Sequence, residues 1–147
     1  MARYFVTDTT ALDSTADSAL QVMSNASTAH RGYVHEIHVS FATPADLTSP
    51  FTFARSTDAG TGDSPTVEPF DSYDVVNRAV AKGNLSAEPT TGDTLFELDL
   101  YHRLNLIYKT PVDRPFIWPA TTSNGFLGKA SHSTSNNVYR VSFVWDE

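Results

Sequence analysis

Three long segments of this chain alternate apolar and polar residues with a period of two, and this pattern restricts the possible fold more than any other feature. Residues 33–41, 95–108 and 138–145 each place most of their large apolar side chains on one face. A helix would instead need apolar residues three and four positions apart. Each segment is therefore predicted to be a β-strand with one buried face, and no stretch of ten or more residues has a clear helical stripe.

Five shorter segments have weaker strand patterns and are separated by turn residues. They cover residues 3–7, 19–25, 51–55, 74–80 and 116–118. Together with the three stronger segments they make about eight strands, a number typical of a sandwich of two antiparallel sheets. Connections at 57–69 and 110–124 are long for hairpins and indicate strands that cross between sheets. The sequence therefore predicts an all-β, jelly-roll-like antiparallel sandwich.

The length of 147 residues fits one domain, because a sandwich of this size buries enough surface to fold without metals or disulfides. We therefore expect residues 1–147 to form a single β-sandwich domain. Two interpretations of residues 1–28 stay open. They form either an ordinary first strand or an extended arm that pairs with a neighbouring subunit by strand addition.

The charge and composition exclude several classes of partner. Ten basic residues stand against seventeen acidic ones, giving a net charge of −7 without any run of Lys or Arg. This argues against nucleic acid or an anionic membrane as the main partner. No window is apolar enough for a membrane span or a signal peptide, so we expect a soluble chain that is not exported. The absence of cysteine removes disulfides, thiol catalysis and Cys-based metal sites.

The histidines do not form an obvious metal site. His35 and His38 are three apart in a predicted strand, so they should point to opposite faces and could not hold one ion together. His35 and His102 are both in register with apolar residues, and we expect them to be half-buried, hydrogen-bonded neighbours on adjacent strands. A metal or pH-switch role is the alternative. On balance the sequence predicts neither a metal nor a cofactor.

No motif of nucleophilic or phosphate chemistry occurs. The chain lacks a Gly-x-Ser-x-Gly elbow. The glycine-rich loop at 60–65 lacks both a Walker lysine and a following helix, so we interpret it as an exposed turn. Asp58, Asp63 and Asp71 lack the tight alternation of a calcium loop and fit ordinary turn positions. The sequence therefore predicts that the protein is not an enzyme.

The apolar segment 114–119 has a proline close to each end, which keeps it extended and excludes a central strand. Trp118 then lies either in an edge segment folded over the core or in an exposed aromatic contact for a partner. We take Tyr4, Phe5, Val6, Phe116 and Trp118 as the candidate partner-binding residues.

Four features together resemble the small virion proteins of tailed phages that act as capsid decoration, or cement, proteins. They are the segment from Arg31 to Phe41, the following Pro44, the Gly60-Thr61-Gly62 loop and the terminal run from Val141 to Glu147. The resemblance is one of pattern along the whole chain. It implies a structural subunit that binds the major capsid protein, stabilises the phage head, assembles as a homotrimer and lies on the capsid surface of the virion after synthesis in the host cytoplasm.

A binding module of a phage fibre or tail that recognises a carbohydrate or a host receptor is the alternative. β-Sandwiches commonly present aromatic and Asn or Asp side chains to sugars from their loops. Trp118, Tyr73, Asn124 and Phe126 are the candidates for this role.

Overall fold

A computed structural model describes residues 1–12, 17–73, 77–111, 113–133 and 136–147 of the chain. These residues contain no helix long and apolar enough to cross a membrane. They form twelve β-strands, namely β1 (Arg3–Ala11), β2 (Asp17–Ser24), β3 (Gly32–Phe41), β4 (Thr48–Ser56), β5 (Thr61–Asp63), β6 (Glu68–Pro69), β7 (Ala79–Ala87), β8 (Thr91–Tyr101), β9 (Leu106–Lys109), β10 (Phe116–Trp118), β11 (Gly125–Ala130) and β12 (Val138–Asp146).

The strands pair antiparallel in two sheets. The first sheet has the order β10-β3-β12-β1-β6, with β9 also paired to β3, and the second has the order β5-β7-β2-β11-β4-β8. The pairs β1·β12, β2·β11, β3·β9 and β4·β8 are nested along the chain, which is jelly-roll connectivity. This confirms the predicted antiparallel, jelly-roll-like sandwich. Four strands, β5, β6, β7 and β10, are additional to the eight of that pattern.

The core lies between the two sheets and is rich in aromatic side chains. Phe53 of β4 is at its centre, fully buried and in ring contact with four other phenylalanines. Their ring centroids lie 5.1 to 5.6 Å from that of Phe53, and they are Phe96, Phe116, Phe126 and Phe143. Strands from both sheets supply these rings, so the cluster joins the two sheets.

Residues 3–11 form an interior strand of the first sheet. β1 pairs with β12 along its whole length and with β6 on its other side. Tyr4 lies opposite Trp145 and Val6 opposite Phe143, and all four side chains are buried. Residues 3–11 therefore form an ordinary first strand within this chain, and an arm that pairs with a neighbouring subunit stays a prediction.

The segment 95–108, predicted to be one strand, is two strands in different sheets. β8 ends at Tyr101 in the second sheet and β9 begins at Leu106 in the first. A turn closed by the bond from Leu104 N–H to the Tyr101 carbonyl, 2.9 Å long, carries the chain across. The alternation continues through this turn, so the sequence pattern shows no break there.

Four further strands, β5, β6, β7 and β11, differ from the predictions. β11 is buried on both faces, so its apolar residues do not alternate. β7 runs from Ala79 to Ala87, well beyond residue 80 where the predicted strand ends, and β5 and β6 lie within the predicted loop 57–69. Of the predicted strand 74–80, residues 74–76 lie outside the described residues and 79–80 begin β7.

Candidate functional site

The outer face of the first sheet carries two neighbouring recesses. The first, here called the polar cleft, has a volume of about 410 Å³ and is lined by Met1, Arg3, Tyr33, His35, Glu36, Lys109, Thr110, Pro115 and Asp146. The second, here called the apolar recess, has a volume of about 470 Å³ and is lined by Phe5, Thr7, His38, Phe70, Arg140, Ser142 and Val144. Strands β1, β3 and β12 contribute to both, so the two recesses form one continuous candidate surface.

A β-bulge in β3 places both strand histidines on this outer face. Val144 of β12 pairs with Glu36 and Trp145 pairs with Val34, which leaves His35 as an extra residue. The bulge changes the phase of the strand, so Val34 and Ile37 are both buried in the core although they are three residues apart. The prediction that His35 and His38 point to opposite faces is therefore wrong.

Two carboxylates organise the charges of the polar cleft. Asp146 accepts hydrogen bonds from Arg3 at 2.7 and 3.2 Å and lies 3.0 Å from His35 Nε2. Its bond to Arg3 raises the pKa of the Arg3 guanidinium. Glu36 lies 3.0 Å from both His38 Nε2 and Lys109 Nζ, and the bond with His38, supported by Lys109, lowers the pKa of the Glu36 carboxyl. Each carboxylate is held between two basic groups, so the cleft presents fixed charges of both signs.

The apolar recess exposes two phenylalanine rings that contact each other. The rings of Phe5 and Phe70 meet edge to face with centroids 5.7 Å apart. Phe5 is 38% exposed and Phe70 is 61% exposed. Val144, which pairs with Phe5, is buried beside them. The Phe70 N–H donates to the Arg3 carbonyl at 2.9 Å, which fixes Phe70 to the sheet. Exposed aromatic pairs on a rigid sheet are typical of interaction surfaces.

The middle of the corresponding face of the second sheet, over β2 and β11, is covered by the chain itself. Met23 and Leu127 are buried there although they lie outside the core between the sheets. The loop after β4 folds over this face and is bound by Gln21, whose side-chain nitrogen donates to the Asp58 carbonyl at 2.7 Å. The side-chain oxygen of Gln21 accepts from Gly60 N–H at 3.0 Å. The chain therefore covers the second sheet over β2 and β11, whereas the described residues leave Phe5 and Phe70 exposed on the first sheet.

A buried Ser–His–Asn arrangement lies where the chain crosses between the sheets. His102 stacks on Phe41, with Nε2 2.7 Å from Ser49 Oγ and Nδ1 3.5 Å from Asn137 Nδ2. Asn137 also bonds the backbone of Thr43 through both amide atoms, which orients its NH₂ group toward His102. Ser49 is fully buried and His102 nearly so, which leaves this pair without an open face toward solvent.

His102 makes the stability of the fold depend on pH. Burial, together with the neighbouring His132, lowers the pKa of His102 below its ordinary value of 6.5. The folded state therefore binds a proton less readily than the unfolded chain. The stabilisation that neutral His102 gives to the folded state is complete above pH 6.5 and is lost as the pH falls below that value. We expect the free energy of unfolding, measured with urea, to fall more in the wild type than in His102→Gln between pH 7.5 and 5. Equal losses in the two proteins would contradict this role.

The five candidate partner-binding residues do not share one surface. Tyr4, Val6 and Trp118 are buried in the core, Phe116 is half-buried, and Phe5 is exposed in the apolar recess. Trp118 lies in β10, an edge strand of the first sheet, as the flanking prolines indicated. Its side chain is nevertheless fully buried. A partner contact through these residues stays a prediction. Of the five, Phe5 has the most exposed side chain.

His35 and His102 are not neighbours, contrary to the prediction. His35 lines the polar cleft and contacts Asp146, whereas His102 is at the crossing turn with Ser49 and Phe41. The described residues contain no group of three or more His, Asp or Glu side chains placed to hold a metal ion.

Of the four candidate sugar-contacting residues, Trp118 and Phe126 are in the core, and this corrects their assignment to an exposed loop. Tyr73 is exposed and Asn124 is half-buried.

The main residues that the sequence did not reveal are Phe70, Arg3 and Asp146. Phe70 directly follows a predicted loop, and the only signal there is an isolated phenylalanine among polar residues. Arg3 and Asp146 lie at opposite ends of the sequence and meet because β1 pairs with β12.

No protein-family model, curated protein or solved structure matches this chain.

Proposed function

We propose that this protein is a capsid decoration subunit of a tailed phage, which binds the major capsid protein lattice through the outer face of its first sheet. The observation that supports the proposal is the contrast between the two outer faces. Gln21 and the loop after β4 cover the middle of the second sheet, whereas Phe5 and Phe70 are left exposed on the first. A decoration subunit needs a rigid scaffold with one open docking face, and the pattern resemblance of the sequence points to the same class of protein.

Such a subunit would act by binding alone. A protein that binds only the expanded shell stabilises that shell by mass action, and copies that bridge neighbouring capsomers add avidity. A specific footprint buries on the order of 1,000 Å². Aromatic side chains at the centre of a footprint commonly contribute most of the binding energy. In this proposal Phe5 and Phe70 are the central contacts, and the charges of the polar cleft lie at the rim.

The double substitution Phe5→Ser and Phe70→Ser tests the docking face. We expect it to weaken attachment to expanded phage heads at least about thirtyfold, which corresponds to about 2 kcal/mol, because both rings lose their apolar contact. Co-sedimentation of the purified protein with heads that lack it measures the occupancy. The control is Leu104→Ser, which removes an apolar side chain that is 65% exposed from the turn between β8 and β9.

Thermal unfolding of the double variant distinguishes a loss of docking from a loss of fold. The double variant should unfold at nearly the wild-type temperature, because its two side chains lie outside the core cluster. Full occupancy by the double variant, or the same loss in the Leu104→Ser control, would contradict the proposed face. Failure of the wild type to bind heads would overturn the capsid function itself. Light scattering of the free protein tests the homotrimer that belongs to the same proposal.

A further inference from the structure

We propose that the free edge of β8 is a docking site for an extended segment of another protein, in which basic residues alternate with apolar ones. The site lies on the second sheet, so the inference is independent of the proposed capsid function. The segment would add one more antiparallel or parallel strand beyond β8, a known mode of peptide recognition.

β8 is a long, open edge. It has eleven residues, and among the described residues its strand pairing is with β4 alone. The strands at the other sheet edges are much shorter. β5 has three residues, β6 two, β9 four and β10 three. Short edge strands offer few unpaired backbone groups, whereas a long one is a template for another strand.

The register shows which backbone groups of β8 face outward. His102 N–H donates to the Leu47 carbonyl at 2.9 Å, so this pair is hydrogen-bonded across the two strands. Antiparallel pairs alternate between bonded and non-bonded positions. Leu98 and Leu100 therefore bond to β4, and the backbone N–H and C=O groups of Glu97 and Asp99 point to the free edge.

The residue opposite Asp99 agrees with this register. Asp99 pairs with Pro50 of β4, and proline has no N–H to donate. A proline is tolerated there because a non-bonded pair needs no donor from β4 toward β8. The Tyr101 carbonyl is already used by Leu104 N–H in the turn, so the regular part of the free edge ends at Asp99.

The side chains of β8 determine the chemistry of the partner. Glu97 and Asp99 are exposed on the same face of the strand as their neighbours Thr52 and Pro50. In a second copy paired antiparallel through this edge, carboxylates would lie beside carboxylates, which is unfavourable. The whole chain also carries a net charge of −7. Lysine or arginine in the added strand would complement both acidic side chains.

The other face of β8 favours apolar residues at the alternate positions of the partner. Leu98 is 37% exposed although it is on the side of the core, and Leu100 is half-buried. The added strand would cover these side chains with its own apolar side chains and so extend the core by one row. The partner segment is thus basic on one face and apolar on the other.

Titration of the full chain with a short peptide of alternating lysine and valine tests the proposal. We expect backbone amide signals of Glu97 and Asp99 to shift in NMR spectra and to gain protection from exchange, because their N–H groups acquire acceptors. The amides of Leu98 and Leu100 should keep their protection, since they are already bonded to β4. A peptide of the same composition in shuffled order should bind at least about tenfold more weakly.

Two sets of variants separate backbone pairing from simple charge attraction. Asp99→Pro removes the outward N–H together with the charge, whereas Asp99→Asn removes the charge alone, so the proline variant should bind at least about tenfold more weakly than the asparagine variant. Glu97→Lys with Asp99→Lys should abolish binding of the basic peptide and create binding of a glutamate–valine peptide. The matched control, Glu68→Lys with Asp113→Lys, makes the same change in net charge elsewhere and should leave binding unchanged.

Three results would overturn the proposal. The first is equal binding of the alternating and shuffled peptides, which would indicate unspecific charge attraction. The second is equal binding by Asp99→Pro and Asp99→Asn, both folded by circular dichroism. The third is that the free protein forms a dimer and that Asp99→Pro dissociates it. The edge of β8 would then be occupied by a second copy of the chain. If Asp99→Pro fails to fold, the charge-reversal variants and their control decide.

Discussion

Replacing Phe53 with alanine is expected to destabilise the fold by about 3 to 5 kcal/mol, the usual cost of removing a buried phenylalanine. Phe53 is fully buried and contacts rings from both sheets, namely Phe96, Phe116, Phe126 and Phe143. The variant loses these contacts and leaves a cavity that neighbouring strands cannot close, because each is tied into a sheet. Since domains are typically stable by only 5 to 15 kcal/mol, such a loss is a large fraction of the whole.

Urea denaturation followed by tryptophan fluorescence measures this effect, because Trp118 and Trp145 are both buried and become exposed on unfolding. Phe70→Ala is the matched control, since it removes the same ring from an exposed position and should change stability by less than about 1 kcal/mol. A loss in Phe53→Ala no larger than that in Phe70→Ala would show that the aromatic cluster does not hold the sheets together.

The substitution Gly32→Ala is expected to cost about 3 kcal/mol through overpacking. Gly32 pairs with Trp118, and a Cβ at this position would lie 1.9 Å from Cζ2 and 2.1 Å from Cη2 of the Trp118 ring. The ring has little room to move. It packs against Phe126 and Trp145, and its N–H donates to the His30 carbonyl at 3.2 Å. The strand must therefore shift, or the indole must leave its position.

A double-mutant cycle checks that the indole causes the loss. In a Trp118→Phe background the smaller ring leaves room for the methyl group, so adding Gly32→Ala should cost less than about 1 kcal/mol. Gly92→Ala is the control, because the nearest atom to its Cβ would be 3.4 Å away, an ordinary contact. An equal loss of stability on Gly32→Ala in both backgrounds would contradict the proposed clash.

The strands that could be predicted are those with one buried and one exposed face. β12 followed the prediction closely, since Tyr139, Val141, Phe143 and Trp145 all face the core. β11 could not be recognised because both of its faces are buried, one against the core and one beneath the chain's own loops. Alternation reports a difference between two faces, and a strand without that difference gives no such signal.

The candidate site was predictable only in part. Phe5 was identified from the sequence, but its neighbours in the same alternating segment, Tyr4 and Val6, face the opposite side of the sheet. Its contact with Phe70 depends on β6 pairing with β1, a pairing between residues more than sixty positions apart. The sequence around Phe5 or Phe70 has no local pattern that indicates this contact.

The sequence by itself determined the class of the fold. Period-two alternation, the lack of a helical stripe and long connections are local properties, and they are sufficient to specify two antiparallel sheets with a buried core. Tertiary structure alone decided which outer face is covered and which is open. The bulge at His35 and the crossing at residues 102–105 depend on register between distant segments. So does the position of β8 at an edge, where it pairs with β4 alone among the described strands. Register is set by the packing of whole strands, so no single segment encodes it.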